Sequence, residues 1–133
     1  MPMMIRGIRG ATTVHANDAA EALAATEELL RELITANGIV EEEVASVFFT
    51  TTPDLTAVFP AQAARNLGWT RVALMGSQEA NIDDGLPYCI RILIHWNTDK
   101  SLDEIQHVYQ RSAVRLRPDL YPTNKIVLDG GDD

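Results

Sequence analysis

The chain has 133 residues, 46% of them hydrophobic and 23% charged, and a formal net charge of −8. That length holds one ordinary core and not two. So acidic a chain is a poor match for nucleic acid or an anionic membrane, both of which need a basic face.

No apolar run approaches the ~20 residues that span a bilayer, and Arg6 and Arg9 interrupt the stretch a leader peptide would keep apolar. Cys89 is the single cysteine. An intramolecular disulfide is therefore impossible, and the reducing cytoplasm is the expected home. Of the 11 basic residues, nine are Arg and two are Lys, Lys100 and Lys125. Arginine is the side chain that grips carboxylate or phosphate with a fixed fork.

In chain order, Met3 to Gly10 reads as a strand entering a glycine-punctuated turn. Asn17-Asp18 caps a helix running to Asn37, which Gly38 stops. Leu23, Thr26, Leu30, Leu33 and Ile34 form one stripe on it, suited to packing on a sheet. Glu41 to Glu43 make a short turn, and Val44 to Thr51, rich in Val, Phe and Thr, reads as a strand. Thr52-Pro53-Asp54 breaks it. Pro60 opens a short helix through Ala61, Ala64 and Leu67, ending at Gly68.

Arg71 to Met75 reads as a brief strand, and Asn81 to Pro87 as a loop with Asp83-Asp84-Gly85 turn chemistry. Cys89 to Trp96 is the strongest strand pattern. Ser101, with Glu104 at the capping-box position, predicts another helix carrying Ile105, Val108 and Tyr109. Ala113 to Leu116 reads as a last short strand. The acidic tail, residues 121–133, has little to bury and is expected to be mobile beside a single domain over residues 1–120. The fold class is α+β: four or five strands in a mostly antiparallel or mixed sheet, one long helix and two short ones.

The chemistry concentrates in Cys89-Ile90-Arg91-Ile92-Leu93-Ile94-His95-Trp96. Alternation places Ile90, Ile92, Ile94 and Trp96 on a core face and Cys89, Arg91, Leu93 and His95 on the other. An arginine inside so apolar a strand needs a structural acid, an anionic ligand or both, because an isolated buried charge costs several kcal/mol. Glu79, just after a strand end, is a candidate partner acid or an acceptor for a ligand hydroxyl. Arg6 and Arg9 face opposite sides of a regular strand, so only one of them can share a pocket with Arg91.

Other chemistries find little footing. His15, His95 and His107 lack the Cys or carboxylate spacing of a metal site, and no phosphate-binding glycine loop is present. Cys89 reads as a small buried hydrophobe. The residues themselves point to an arginine-lined pocket for a small, doubly charged, partly apolar anion.

Five segments then resemble one family in order and register. They are Arg6-Gly7-Ile8-Arg9-Gly10-Ala11-Thr12-Thr13-Val14, Thr52-Pro53-Asp54-Leu55 with Ala57-Val58-Phe59-Pro60-Ala61, Cys89-Ile90-Arg91, His107-Val108-Tyr109, and Val114-Arg115-Leu116-Arg117-Pro118-Asp119-Leu120. Together they resemble the AroH-class monofunctional chorismate mutases over most of the chain. The resemblance implies a homotrimer whose sheets form a pseudo α/β barrel, with active sites at the subunit interfaces. It also implies chorismate and prephenate as the small-molecule partners and no cofactor or metal.

On the matching positions, Arg91 would donate to the breaking ether oxygen and reach a carboxylate. Arg9 would bind a carboxylate, Glu79 would accept from the ring hydroxyl, and Tyr109 would contact the enolpyruvyl side. Phe59, from the neighbouring subunit, and Leu116 would be apolar walls. Arg65 and Arg117 would add positive field at the entrance, with the tail beyond Arg117 settling over the ligand. Gln62 stands where some members have lysine, and Gly76 where some have cysteine. The alternative, from another functional class, is a non-catalytic trimer that binds small carboxylates.

Overall fold

The computed structural model describes residues 3–119. Five strands form one mixed sheet: β1 (Met4–Thr13), β2 (Val44–Thr51), β3 (Ala73–Gln78), β4 (Cys89–Thr98) and β5 (Val108–Tyr109), in the spatial order β3-β2-β4-β1-β5. The central β4 runs antiparallel to both β1 and β2, while β3 and β5 lie parallel to their neighbours at the two edges. The α+β expectation holds, and the strongest strand pattern in the sequence is the middle of the sheet.

One long helix, α1 (Ala19–Asn37), covers one face. The Asp18 carboxylate accepts the Glu21 N–H at 2.9 Å, and Gly38, at φ 72°, closes the other end in the left-handed region that glycine occupies at least cost. Leu29, Leu30 and Leu33 are fully buried against Ile8, Val47, Phe49, Ile92 and Ile94. Leu29, which the expected stripe omitted, is part of the buried face, and Leu23, which it included, lies at the half-buried margin. The helix sits close because Gly10 has no side chain: a Cβ there would fall 2.7 Å from Leu33 Cδ1.

The short helix α2 (Ala61–Asn66) follows Pro60 as expected. β1 is longer than expected, because Ala11, Thr12 and Thr13 continue the ladder against Arg91, Ile90 and Cys89. β3 starts two residues later than Arg71, whose N–H is taken instead by the Glu41 carboxylate at 2.8 Å.

Two expectations are overturned. The Ser101–Glu104 capping box is real, but it closes only a single 3-10 turn, Leu102–Glu104. The chain is extended again at Ile105, and Val108 and Tyr109 pair with Gly10 and Ala11 as β5, so no helix carries them. Ala113 to Leu116 lies in a 3-10 helix, Arg111–Leu116, whose Ala113 and Val114 pack on Tyr109. Four residues, of which Ala113, Val114 and Leu116 are apolar, are too few for periodicity to separate a strand from a buried helical turn. The tail expected to be mobile lies outside the described residues. No helix among those described is long and apolar enough to cross a membrane.

Candidate active site

Register alone assembles the site. Antiparallel partners point to the same side of a sheet, so Ala11 and Thr50, the two neighbours of Arg91, share its face. Arg9 faces Leu93, two residues along β4, and is on that side as well; Arg6 pairs with Trp96 on the core side. Of the two N-terminal arginines, Arg9 is therefore the one that shares a face with Arg91. Tyr109 pairs with Ala11 and joins them. This face is opposite α1, and it leaves Phe48 and Met75 exposed.

Glu79 follows β3 and continues its alternation onto the same side. Its backbone N–H donates to Thr51 O at 2.7 Å, and the Thr50 hydroxyl donates to its Oε2. The same carboxylate oxygen stands 3.5 Å from Arg91 Nε. Arg91 thus has an acid partner, yet its buried Nε makes no hydrogen bond among the described residues, and a third of the side chain remains accessible. The structural acid expected for Arg91 is therefore Glu79, and it leaves the guanidinium unsaturated.

At the β5 edge, Tyr109 is buried, with Leu116 packed on the same cluster. Arg117 lies over the Tyr109 ring at 6.0 Å and binds Asp119 at 2.8 Å; those two interactions hold its guanidinium firmly protonated, Asp119 contributing more. His107 accepts the Arg9 backbone N–H on Nδ1 at 3.0 Å. Burial first, then the Arg117 and Arg9 charges, keep that ring below the usual imidazole range. Cys89 is fully buried, and burial pushes its thiol up to about 11, so a small inert hydrophobe is the right reading.

Phe59 and Arg65 stand apart from these groups. Phe59 is 82% exposed and lines a cleft of about 360 Å³ with Pro53, Val58, Gly76 and Ser77, at the β3 edge of the sheet. Arg65 is exposed on α2 and donates to Gln62 at 3.3 Å. Gly76 has room for a side chain, since a Cβ there meets only Phe49 O at 3.8 Å.

Sequence reasoning missed two supporting residues, Thr50 and the ring of His107. Thr50 was legible as the position facing Arg91 only once the β2–β4 register was known. A separate cavity of about 400 Å³ at the end of β1 holds Arg111, but that guanidinium is already engaged by Thr12 and Glu28.

One face of the sheet lies against a helix, and the other carries arginines, one carboxylate and a tyrosine, groups suited to a small anion. Comparison with known proteins gives the class its identity. The family model for chorismate mutase type I matches residues 5–120, and the chain belongs to that family. It is 54% identical over 119 residues to chorismate mutase AroH of Thermus thermophilus, covering 88% of this chain and 97% of the relative. To chorismate mutase AroH of Bacillus subtilis (strain 168) it is 46% identical over 127 residues, 95% of this chain and 100% of the relative. A solved chorismate mutase from Clostridium thermocellum superposes with a TM-score of 0.81 at 48% identity, covering 83% of this chain and 98% of that one.

Proposed function

We propose that the chain catalyses the [3,3] rearrangement of chorismate to prephenate in aromatic amino-acid biosynthesis, in the cytoplasm, through arginines and a carboxylate on the open face of its sheet. The observation that carries the reading is Arg91. It is a permanently charged donor on the central strand, partly desolvated, with a buried Nε beside Glu79 and an accessible face.

The reaction is intramolecular and moves no proton, hydride or electron between protein and substrate. Catalysis then reduces to two tasks. The enolpyruvyl arm must be held over the ring in its reactive shape, a positioning task. Negative charge that develops on the ether oxygen as the C–O bond lengthens must meet a donor already in place, an electrostatic one.

Arg91 takes the second task and shares a carboxylate with Arg9. Glu79, steadied by Thr50, accepts from the ring hydroxyl. Tyr109 contacts the enolpyruvyl side, and Leu116 forms an apolar wall. Arg65 and Arg117 raise the local potential, which an acidic protein needs at the entrance for a dianion.

The functional unit is a homotrimer with its sites between subunits. Within one chain, Phe59 lies at the β3 edge and Tyr109, Leu116 and Arg117 at the β5 edge, with β2, β4 and β1 between them. Phe59, exposed on its own chain, enters the neighbour's site as the second apolar wall. The exposed Phe48 and Met75 supply apolar surface for the subunit contact. The decisive test follows chorismate loss by its ultraviolet absorbance: turnover to prephenate is expected, and binding without turnover would replace the enzyme by a carboxylate-binding trimer.

A further inference from the structure

We propose that His107 is a positioning residue for Arg9, its imidazole Nδ1 capturing the Arg9 backbone N–H and fixing where that arginine leaves the sheet. The inference rests on the reading of Arg9 as a ligand of a substrate carboxylate. β5 is only two residues long, and its pairing with β1 covers Gly10 and Ala11 alone. Arg9 is one step before that pairing, and its N–H is met by the His107 ring at 3.0 Å in place of a backbone carbonyl. The short edge strand is thereby extended by one side chain, at the residue whose placement matters.

An acceptor Nδ1 must carry a lone pair, so the neutral ring keeps its proton on Nε2. The surroundings enforce neutrality. His107 is half-buried, and the charges acting on it are Arg117, following the 3-10 helix, and Arg9, on β1. Asp119 and the Tyr109 ring are next in line, both engaged with Arg117. Protonation would set an Nδ1–H against the Arg9 N–H and place a third cation beside two guanidiniums. Arg9 would lose its anchor and be pushed outward.

The test is steady-state kinetics with chorismate on wild type, His107→Ala and His107→Asn between about pH 5 and 8. Asparagine Oδ1 reaches the place of Nδ1 and accepts the same N–H, but does not titrate. For His107→Ala, KM should rise about two- to tenfold, the worth of one hydrogen bond, with kcat little changed because Arg91 is on another strand. His107→Asn should keep the wild-type KM at pH 8. Wild-type KM should climb toward the acid end of that range as His107 gains a proton, and that climb should be absent in His107→Asn.

An unchanged KM in a folded His107→Ala variant, a KM that falls on acidification, or an acid rise that persists in His107→Asn would each overturn the inference. Should alanine prevent folding, the asparagine pH profile carries the test by itself. Failure of the wild type to consume chorismate would instead defeat the reading of the whole site, so the two failures are told apart.

Discussion

Arg91 Nε and Glu79 Oε2 stand 3.5 Å apart, near enough to stabilise each other's charge and beyond the 2.7–3.2 Å typical of an N–H···O bond. The acid holds the guanidinium in place without saturating it. A donor arranged this way needs little reorganisation when an oxygen beside it turns negative, and removing one such donor typically costs ~2.7–4 kcal/mol. Arg91→Ala is therefore expected to lower kcat about a hundred- to thousandfold. Arg91→Lys should recover little, because an ammonium cannot reproduce the planar fork. Near-wild-type turnover in a folded Arg91→Ala protein, folding being checked by circular dichroism, would sink the mechanism.

Thr50 gives a subtler test of the same pair. Its hydroxyl donates to the oxygen that faces Arg91, so it decides which way the Glu79 carboxylate is turned. Valine keeps the shape and removes the donor. A hydrogen bond to a charged group contributes about 1.5–3 kcal/mol, so Thr50→Val should lower kcat/KM roughly tenfold or more while leaving the fold intact. Unaltered kinetics would show that Glu79 is placed by Arg91 and the Thr51 carbonyl alone.

These two residues also mark how far the sequence could be read. The alternation around Arg91, the caps at Asp18 and Gly38 and the β-rich run of β2 are local signals, and each appears where local chemistry put it. The C-terminal third is different. Val108 and Tyr109 become a strand only because Gly10 and Ala11 offer an edge nearly a hundred residues away, and no local pattern carries that information. Thr50 was invisible for the same reason, since strand register is a long-range property. That Phe59 would come from a neighbouring subunit was implied by resemblance alone, because a single chain's pattern says nothing about a second chain.

The dependence on pH should be flat across roughly pH 6 to 9, because no step transfers a proton to or from the protein. His107 does not spoil the plateau. Its pKa is held below the usual imidazole range, first by burial and then by the Arg117 and Arg9 charges, and its charging acts on substrate affinity through Arg9 and not on kcat. Arg117, locked to Asp119, keeps its charge throughout. A steep bell in kcat, with a histidine-like limb inside the window, would indicate acid–base catalysis and count against the electrostatic account.

Gly10 links stability to the site. Its missing side chain lets α1 settle on β1, and an added Cβ would meet Leu33 Cδ1 at 2.7 Å and Leu29 Cδ1 at 3.2 Å. Both leucines are fully buried, so any adjustment must be taken up within the core. Overpacking of this kind costs typically 1–3 kcal/mol, so Gly10→Ala should lower the unfolding midpoint in denaturant by a corresponding amount. An unchanged midpoint would mean the helix shifts freely, and the sheet would then be a less rigid platform for Arg9 and Arg91 than its packing implies.

Assembly of the site from two chains can be tested by mixing. Phe59 and Arg91 belong to one site through different subunits in the proposed trimer, so Phe59→Ala and Arg91→Ala each damage every site of their own homotrimer. The first should lose roughly tenfold in kcat/KM through a missing apolar wall, the second far more. When the two variants are denatured together and refolded, some interfaces combine the intact Phe59 of one chain with the intact Arg91 of its neighbour. Those sites are wild type in composition, and activity should rise above the sum of the two parents. If Phe59 instead serves the Arg91 of its own chain, every mixed site keeps one defect and no rise can occur. Co-refolded wild-type protein, carried through the same steps, supplies the yield against which the recovered turnover is judged.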